Sequence, residues 1–192
     1  MPYTKEHKTQ SRERILASAI TLFSRQGYDS VTLDMLMTHA GMTRGAFYNH
    51  FDSKQELYSE AMISAALTSP IAEETPEDID SIEHLHNIVE AYLSQAHLQE
   101  PDNPCLMAFM VTDVANNEPE VRKTYTHIFK RMSHRMANLM ESSNAREPQN
   151  ALALAALMIG GVAVCRTFSD DKLADEVLSA CRALAASVID AE

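Results

Sequence analysis

Along almost the whole chain, apolar residues recur at the spacing of one helix face, and the β-branched alternation of a strand is nearly absent. This pattern predicts an all-α fold of about nine helices. The predicted spans are residues 8–26, 33–40, 44–50, 54–68, 79–99, 104–116, 119–143, 148–169 and 171–190. Helix-ending and helix-starting residues fall where this division needs them. In the first span Ile15, Leu16, Ala19, Leu22 and Phe23 form one face, and Gly27 supplies a left-handed C-terminal cap. Thr32 and Thr43 stand at N-cap positions, and Ser53-Lys54-Gln55-Glu56 is a capping box. Pro104, Pro119 and Pro148 fall in first turns, where a missing N–H costs nothing. Residues 70–76 (PIAEETP) read as a linker. Three short helices followed by a connecting helix therefore form a complete small module ahead of a longer helical body.

Charge divides at the same place. The net charge is −11, yet residues 1–54 hold seven Lys/Arg against five acids, a balance of +2 that leaves −13 for the remainder. Phosphates respond to the field within about a Debye length, roughly 10 Å, so the N-terminal module alone is suited to nucleic acid. The polar N-terminus has no apolar core of a secretory signal, and the longest apolar run, 151–164, is too short to cross a membrane. Cys105, Cys165 and Cys181 are odd in number and widely spaced, which argues against disulfides or structural zinc. The expectation is a cytoplasmic protein that is not membrane-bound and needs no metal or cofactor.

The informative window is 32–57, TLDMLMTHAGMTRGAFYNHFDSKQEL. Two short helices meeting at Ala40-Gly41-Met42 have the plan of a helix-turn-helix. Leu33, Leu36, Ala40, Met42, Ala46, Phe47 and Phe51 would close a small core beneath them. That leaves Thr43, Arg44, Gly45, Tyr48, Asn49 and His50 on the outer side of the second helix. A cation, an amide, hydroxyls and an aromatic ring suit base edges and phosphates in a major groove. Arg44 has three readings: a bidentate contact to guanine, a phosphate clamp, or plain surface. For Thr32 and Thr43, capping alone explains the residue type, and His50 is open between phosphate contact and packing.

The run Gly41–Leu57, with the leading Arg12, Ile15, Leu16 and Ala19, the Leu22-Phe23 pair, Gly27-Tyr28 and Thr32, resembles the signature of the tetracycline-repressor (TetR) family. The resemblance covers residues 9–69, a third of the chain. It implies a DNA-binding domain at 9–69, with the helix-turn-helix at 32–51, and an effector-binding and dimerisation domain at 70–192. Tyr48 and Lys54 match positions that usually contact the DNA backbone. The resemblance further implies a homodimer on a palindromic double-stranded operator, built through the last two helices of each subunit. A small apolar or electrophilic effector would then release DNA, with repression the family's usual mode.

Beyond residue 70 the sequence speaks more generally. Methionine is flexible and polarizable, so Met-rich helices suit an adaptable apolar pocket as well as an ordinary core. Met62, Tyr92, Cys105, Met107, Met110, Phe129, Met132 and Met158 are candidate lining residues. Cys105 follows Pro104 at a predicted helix start, where the dipole lowers a thiol pKa, although buried inert cysteine is the commoner case. Some relatives that respond to oxidants or electrophiles resemble this placement of a lone cysteine. The run ALALAALMIGGVA (151–163) would let helices approach closely, either at a dimer seam or inside one subunit. His84 and His86 point to different helix faces, which disfavours metal sensing. An enzyme on a helical scaffold is the chief alternative, but no G-x-G-x-x-G, G-x-S-x-G, H-E-x-x-H or P-loop is present. A helix-turn-helix relative acting through protein partners is the third reading.

Overall fold

In the computed structural model the described residues are 5–69, 72, 80–100, 105–140 and 148–190, and their regular structure is helical throughout. The order is α1 (Lys5–Gln26), α2 (Leu33–His39), α3 (Arg44–Phe47), α4 (Lys54–Leu67), α5 (Ser81–Tyr92), α6 (Gln95–Gln99), α7 (Leu106–Phe109), α8 (Val111–Ala115), α9 (Pro119–Leu139), α10 (Pro148–Cys165) and α11 (Asp171–Ile189). The all-α expectation is met. There are eleven helices among the described residues rather than about nine, because two expected helices are interrupted. One breaks after Tyr92, where Leu93 leaves helical geometry (ψ 45°) and the Ser94 hydroxyl caps α6 by accepting the His97 N–H at 3.1 Å. The other breaks at Met110 (φ −106°, ψ 9°), which separates α7 from α8. The predicted linker 70–76, apart from Ala72, and Pro104 lie outside the described residues.

Local chemistry sets the ends of the N-terminal helices. Gly27 adopts φ +77° and returns its N–H to the Phe23 carbonyl at 3.0 Å, closing α1. The Thr32 hydroxyl accepts the Met35 N–H at 3.2 Å to start α2. The Ser53 hydroxyl accepts the Glu56 N–H at 3.0 Å, while the Glu56 carboxylate accepts the Asp52 N–H at 2.5 Å. Asp170 caps α11 through the Lys172 and Leu173 N–H groups.

α4 joins the two parts of the molecule. Leu57, Tyr58, Ala61, Met62 and Ala65 are buried, and α4 packs on α1 at one side and on α7 and α9 at the other. The buried apolar residues consequently form one continuous core from Ile15 to Ile189. Arg12 of α1 pairs with Glu60 of α4 and lies over the Phe51 ring at 5.0 Å.

α10 is longer than its apolar run suggested. It extends the 151–164 run to 18 residues, long and apolar enough to cross a membrane by length and composition alone. Here it packs against α7, α9 and α11, with Leu154, Ala155, Met158, Gly161 and Val162 buried among them. Gly161 is a contact position inside the chain, since a Cβ there would meet Cys181 Sγ at 3.1 Å and a Leu93 methyl at 3.3 Å.

Candidate nucleic-acid interface and internal cavity

The α2–α3 unit turns at Gly41, which adopts φ +64°, a conformation few other residues tolerate. Arg14 reaches across from α1 and donates to the Ala40 carbonyl at 2.6 Å, satisfying the end of α2. A Cβ on Gly41 would sit 2.9 Å from that guanidinium. The backbone conformation therefore favours glycine, and a side chain there would also push the Arg14 clamp aside. Leu36, Ala40, Phe47 and Phe51 are buried below, with the Phe47 and Phe51 rings 5.7 Å apart.

α3 ends at Phe47, earlier than the expected His50. Thr43, Arg44, Gly45, Tyr48 and Asn49 are exposed. Arg44 forms an ion pair with Asp34 of α2 at 3.2 Å, with both side chains more than half exposed (60 % and 64 %). A pair so open contributes about 0–1 kcal/mol and is readily exchanged for another anion. The Tyr48 ring stands edge-on to Phe47 at 5.3 Å and is 58 % exposed. The two threonines differ: Thr32 is engaged as a cap, whereas the Thr43 hydroxyl makes no cap hydrogen bond. A Cβ at Gly45 would meet nothing within 4 Å, and the φ of this residue is not positive. Nothing among the described residues requires glycine there, although glycine in a helix costs about 1 kcal/mol relative to alanine.

His50 and Lys54 are held by neighbours within the chain. His50 is half-buried rather than outward, with its ring 6.5 Å from Phe51 and its Nδ1 enclosed without a partner among the described residues. Burial, then the nearby cations Lys8 and Arg12, depress its pKa, so it packs as a neutral ring. Lys54, at the first turn of α4, places its ammonium 4.1 Å above the Tyr28 ring, and partial burial lowers its pKa.

A partly open cavity of about 540 Å³ is lined by residues of α4, α5, α6, α7 and α9. Five of the eight candidate lining residues face it: Met62, Tyr92, Cys105, Met107 and Met132. Met110 and Met158 are fully buried core, and Phe129 packs on the core outside the cavity. Sequence reasoning missed the polar part of the wall, His97, His127, Arg131 and Arg135. The available signal was a stripe on α9 at i, i+4 and i+8, running beside the apolar positions Ile128 and Met132.

Cys105 follows the commoner of its two readings, a buried thiol, and not the lowered pKa of a helix start. Its Sγ lies 2.9 Å from the Tyr92 hydroxyl. Burial pushes the thiol up and outweighs the hydrogen bonds from Tyr92 and from the Ala108 and Met107 backbone. The helix it precedes has only four residues, too few for a substantial dipole. Cys165 is buried and Cys181 half-buried, and burial raises both. Among the described residues no group of three His, Cys, Asp or Glu side chains is placed to hold a metal ion.

A sequence profile described as bacterial regulatory proteins, tetR family, matches residues 15–61. The chain is 46% identical over 57 residues to the HTH-type transcriptional regulator AcrR of Shigella flexneri. It is 39% identical over 51 residues to the biofilm operon icaADBC HTH-type negative transcriptional regulator IcaR of Staphylococcus aureus strain Newman. These matches span 30% and 27% of this chain, and only about a quarter of each relative, 26% and 27%. In three dimensions the likeness extends over nearly everything. The reduced form of E. coli NemR superposes with a TM-score of 0.76 at 18% identity, covering 92% of this chain and 95% of that one. The shared sequence thus lies in the helix-turn-helix region, and the shared architecture includes the distal helices.

Proposed function

From the premise that this chain is a member of the tetR family of bacterial regulatory proteins through its N-terminal helices, we propose that it binds operator DNA as a two-fold dimer and represses transcription until a ligand in its cavity releases it. The observation that carries the DNA-binding part is the exposed α3 face. Arg44, Tyr48, Asn49 and the uncapped Thr43 hydroxyl surround a glycine that the fold itself does not need. A missing side chain at Gly45 lets the backbone approach a phosphate or groove wall closely. Arg44 would exchange Asp34 for a phosphate or a guanine edge. The acidic remainder of the chain disfavours sticking elsewhere on nucleic acid.

Dimerisation through α10 and α11 is supported by the apolar surface they leave uncovered. Leu152, Val164 and Leu184 are each about half exposed (47–54 %), and Gly160 has open space where its Cβ would be. The seam therefore follows Gly160 rather than Gly161, which faces Cys181 within the chain. A two-fold protein suits a two-fold operator.

Ligand release is supported by α4, which carries Lys54 against Tyr28 at one end and lines the cavity with Met62, Ala65 and Ala66 farther along. A ligand that prefers one position of α4 would change the separation of the paired α3 helices. Equal affinity for both positions would change nothing.

Gel-shift with the DNA upstream of this chain's own gene tests the proposal. The expected result is a discrete, salt-sensitive complex competed by its own sequence and not by unrelated duplex. Equal competition by unrelated duplex, or no complex at low salt, would overturn it.

A further inference from the structure

The distal part of the chain is strongly acidic, yet its positive charge is concentrated. Five of the nine Lys/Arg beyond residue 54 lie on α9 (Arg122, Lys123, Lys130, Arg131 and Arg135), which carries one acid, Glu120. Two of these cations, Arg131 and Arg135, line the cavity together with His127 one turn earlier. They share that helix face with Ile128 and Met132, which are buried. Met62, Ala65 and Leu106 extend the apolar wall from α4 and α7. Among the described residues the lining contains a single carboxylate, Glu100.

At the inner wall stands a different kind of polar group. The His97 ring packs on Tyr92 with centroids 4.5 Å apart, and its Nε2 is enclosed with no partner among the described residues. Burial lowers its pKa, so it meets a ligand as a neutral ring that neither repels nor demands charge. A volume of about 540 Å³ lies inside the usual range for small-ligand sites, roughly 300–1,000 Å³.

Resting on the reading of this cavity as the effector site, we infer that its ligand is an anionic amphipath: an apolar body against Met62, Ile128 and Met132, and a carboxylate held by Arg131 and Arg135. Guanidinium groups one helical turn apart present several N–H donors to one carboxylate. A neutral ligand of the same shape would leave that contact unmade. A cationic one would meet two like charges at the wall.

The test uses the full chain and three probes with the same ten-carbon body: decanoate, decanol and decylammonium. Binding is measured by calorimetry and by thermal shift at low ionic strength. Decanoate is expected to bind at least about tenfold more tightly than decanol, with decylammonium the weakest, and added salt is expected to shrink the difference. In Arg131→Gln/Arg135→Gln the decanoate advantage should vanish while decanol affinity is unchanged. Arg131→Gln alone, at an exposed position, should reduce it without threatening the fold. Decanol or decylammonium binding as tightly as decanoate, an undiminished preference in the double variant, or no binding of any probe would each overturn the inference. Gel-shift of the same samples separates the two readings. Decanoate binding that leaves DNA affinity unchanged removes the effector role but keeps the ligand class, and DNA binding without decanoate binding does the reverse.

Discussion

The Asp113 carboxylate accepts the backbone N–H of Tyr28 at 2.9 Å, tying the end of α1 to α8 across 85 residues of chain. A Cβ at Gly27 would lie 3.0 Å from the same carboxylate, so the positive φ favours glycine there and a side chain would also press on this contact. Arg166, just beyond α10, reinforces the junction by donating to the Ser24 carbonyl while lying 3.8 Å over the Phe109 ring. Tyr28 in turn supports the Lys54 ammonium at the start of α4. The reading head is thus joined to the distal helices by α4 and by this second tie.

Asp113→Ala should destabilise the chain by about 1–3 kcal/mol, because it leaves the Tyr28 N–H unpaired in a partly buried site. Asp113→Asn keeps an accepting oxygen and should recover most of the loss. Urea unfolding of the two variants checks this, and equal destabilisation by both would contradict the hydrogen-bond account.

Gly45→Ala should separate folding from DNA binding. Removing a helical glycine with open space around it is expected to stabilise by about 0.5–1 kcal/mol. Operator affinity should nevertheless fall at least severalfold. Thermal melts and gel-shift together decide it, and unchanged DNA affinity would remove Gly45 from the interface.

Arg44→Ala should cost about 1–3 kcal/mol of operator binding and relax sequence preference. It should scarcely alter stability, since the Asp34 pair is exposed. Lys54→Ala should weaken binding to every duplex and flatten the salt dependence, and should also cost about 0.5–1 kcal/mol of stability from the lost Tyr28 contact. Wild-type affinity in both variants would relocate the reading head.

Leu184→Glu should yield folded monomers with poor operator affinity, as judged by sedimentation at micromolar concentration. Gly161→Leu should instead lower the melting temperature through collision with Cys181 and Leu93. A dimeric Leu184→Glu protein would move the interface elsewhere.

Cys105 should alkylate slowly at pH 8 and speed up only well into the alkaline range, since burial raises its pKa. The sign for stability follows: the folded chain retains the proton longer than the unfolded one. The associated stabilisation is therefore complete below the ordinary thiol pKa and is lost as pH rises through the folded value. Rapid alkylation at pH 7 by iodoacetamide would show a thiolate that this geometry does not provide.

What the sequence determined by itself is local. Thr32 caps Met35, Ser53 caps Glu56 and Asp170 caps Lys172 within three residues, and the helix face repeats every few residues, so the helices and the 32–57 window were legible in one dimension. The unexpected break at Met110 already falls outside that reach, since no glycine, proline or capping side chain marks it, whereas the break at Leu93 carries a local signal in the Ser94 cap. Tertiary structure decided the remainder by bringing distant segments together. His97 and Arg131 share one cavity only because α6 packs on α5 and α9 packs on α4, and Arg166 finds Ser24 across 142 residues. The Cys105 thiol illustrates the physical reason. Its position at the start of the expected 104–116 helix suggested a lowered pKa, but desolvation dominates, and desolvation depends on everything packed around Tyr92 and Cys105 rather than on their neighbours in sequence.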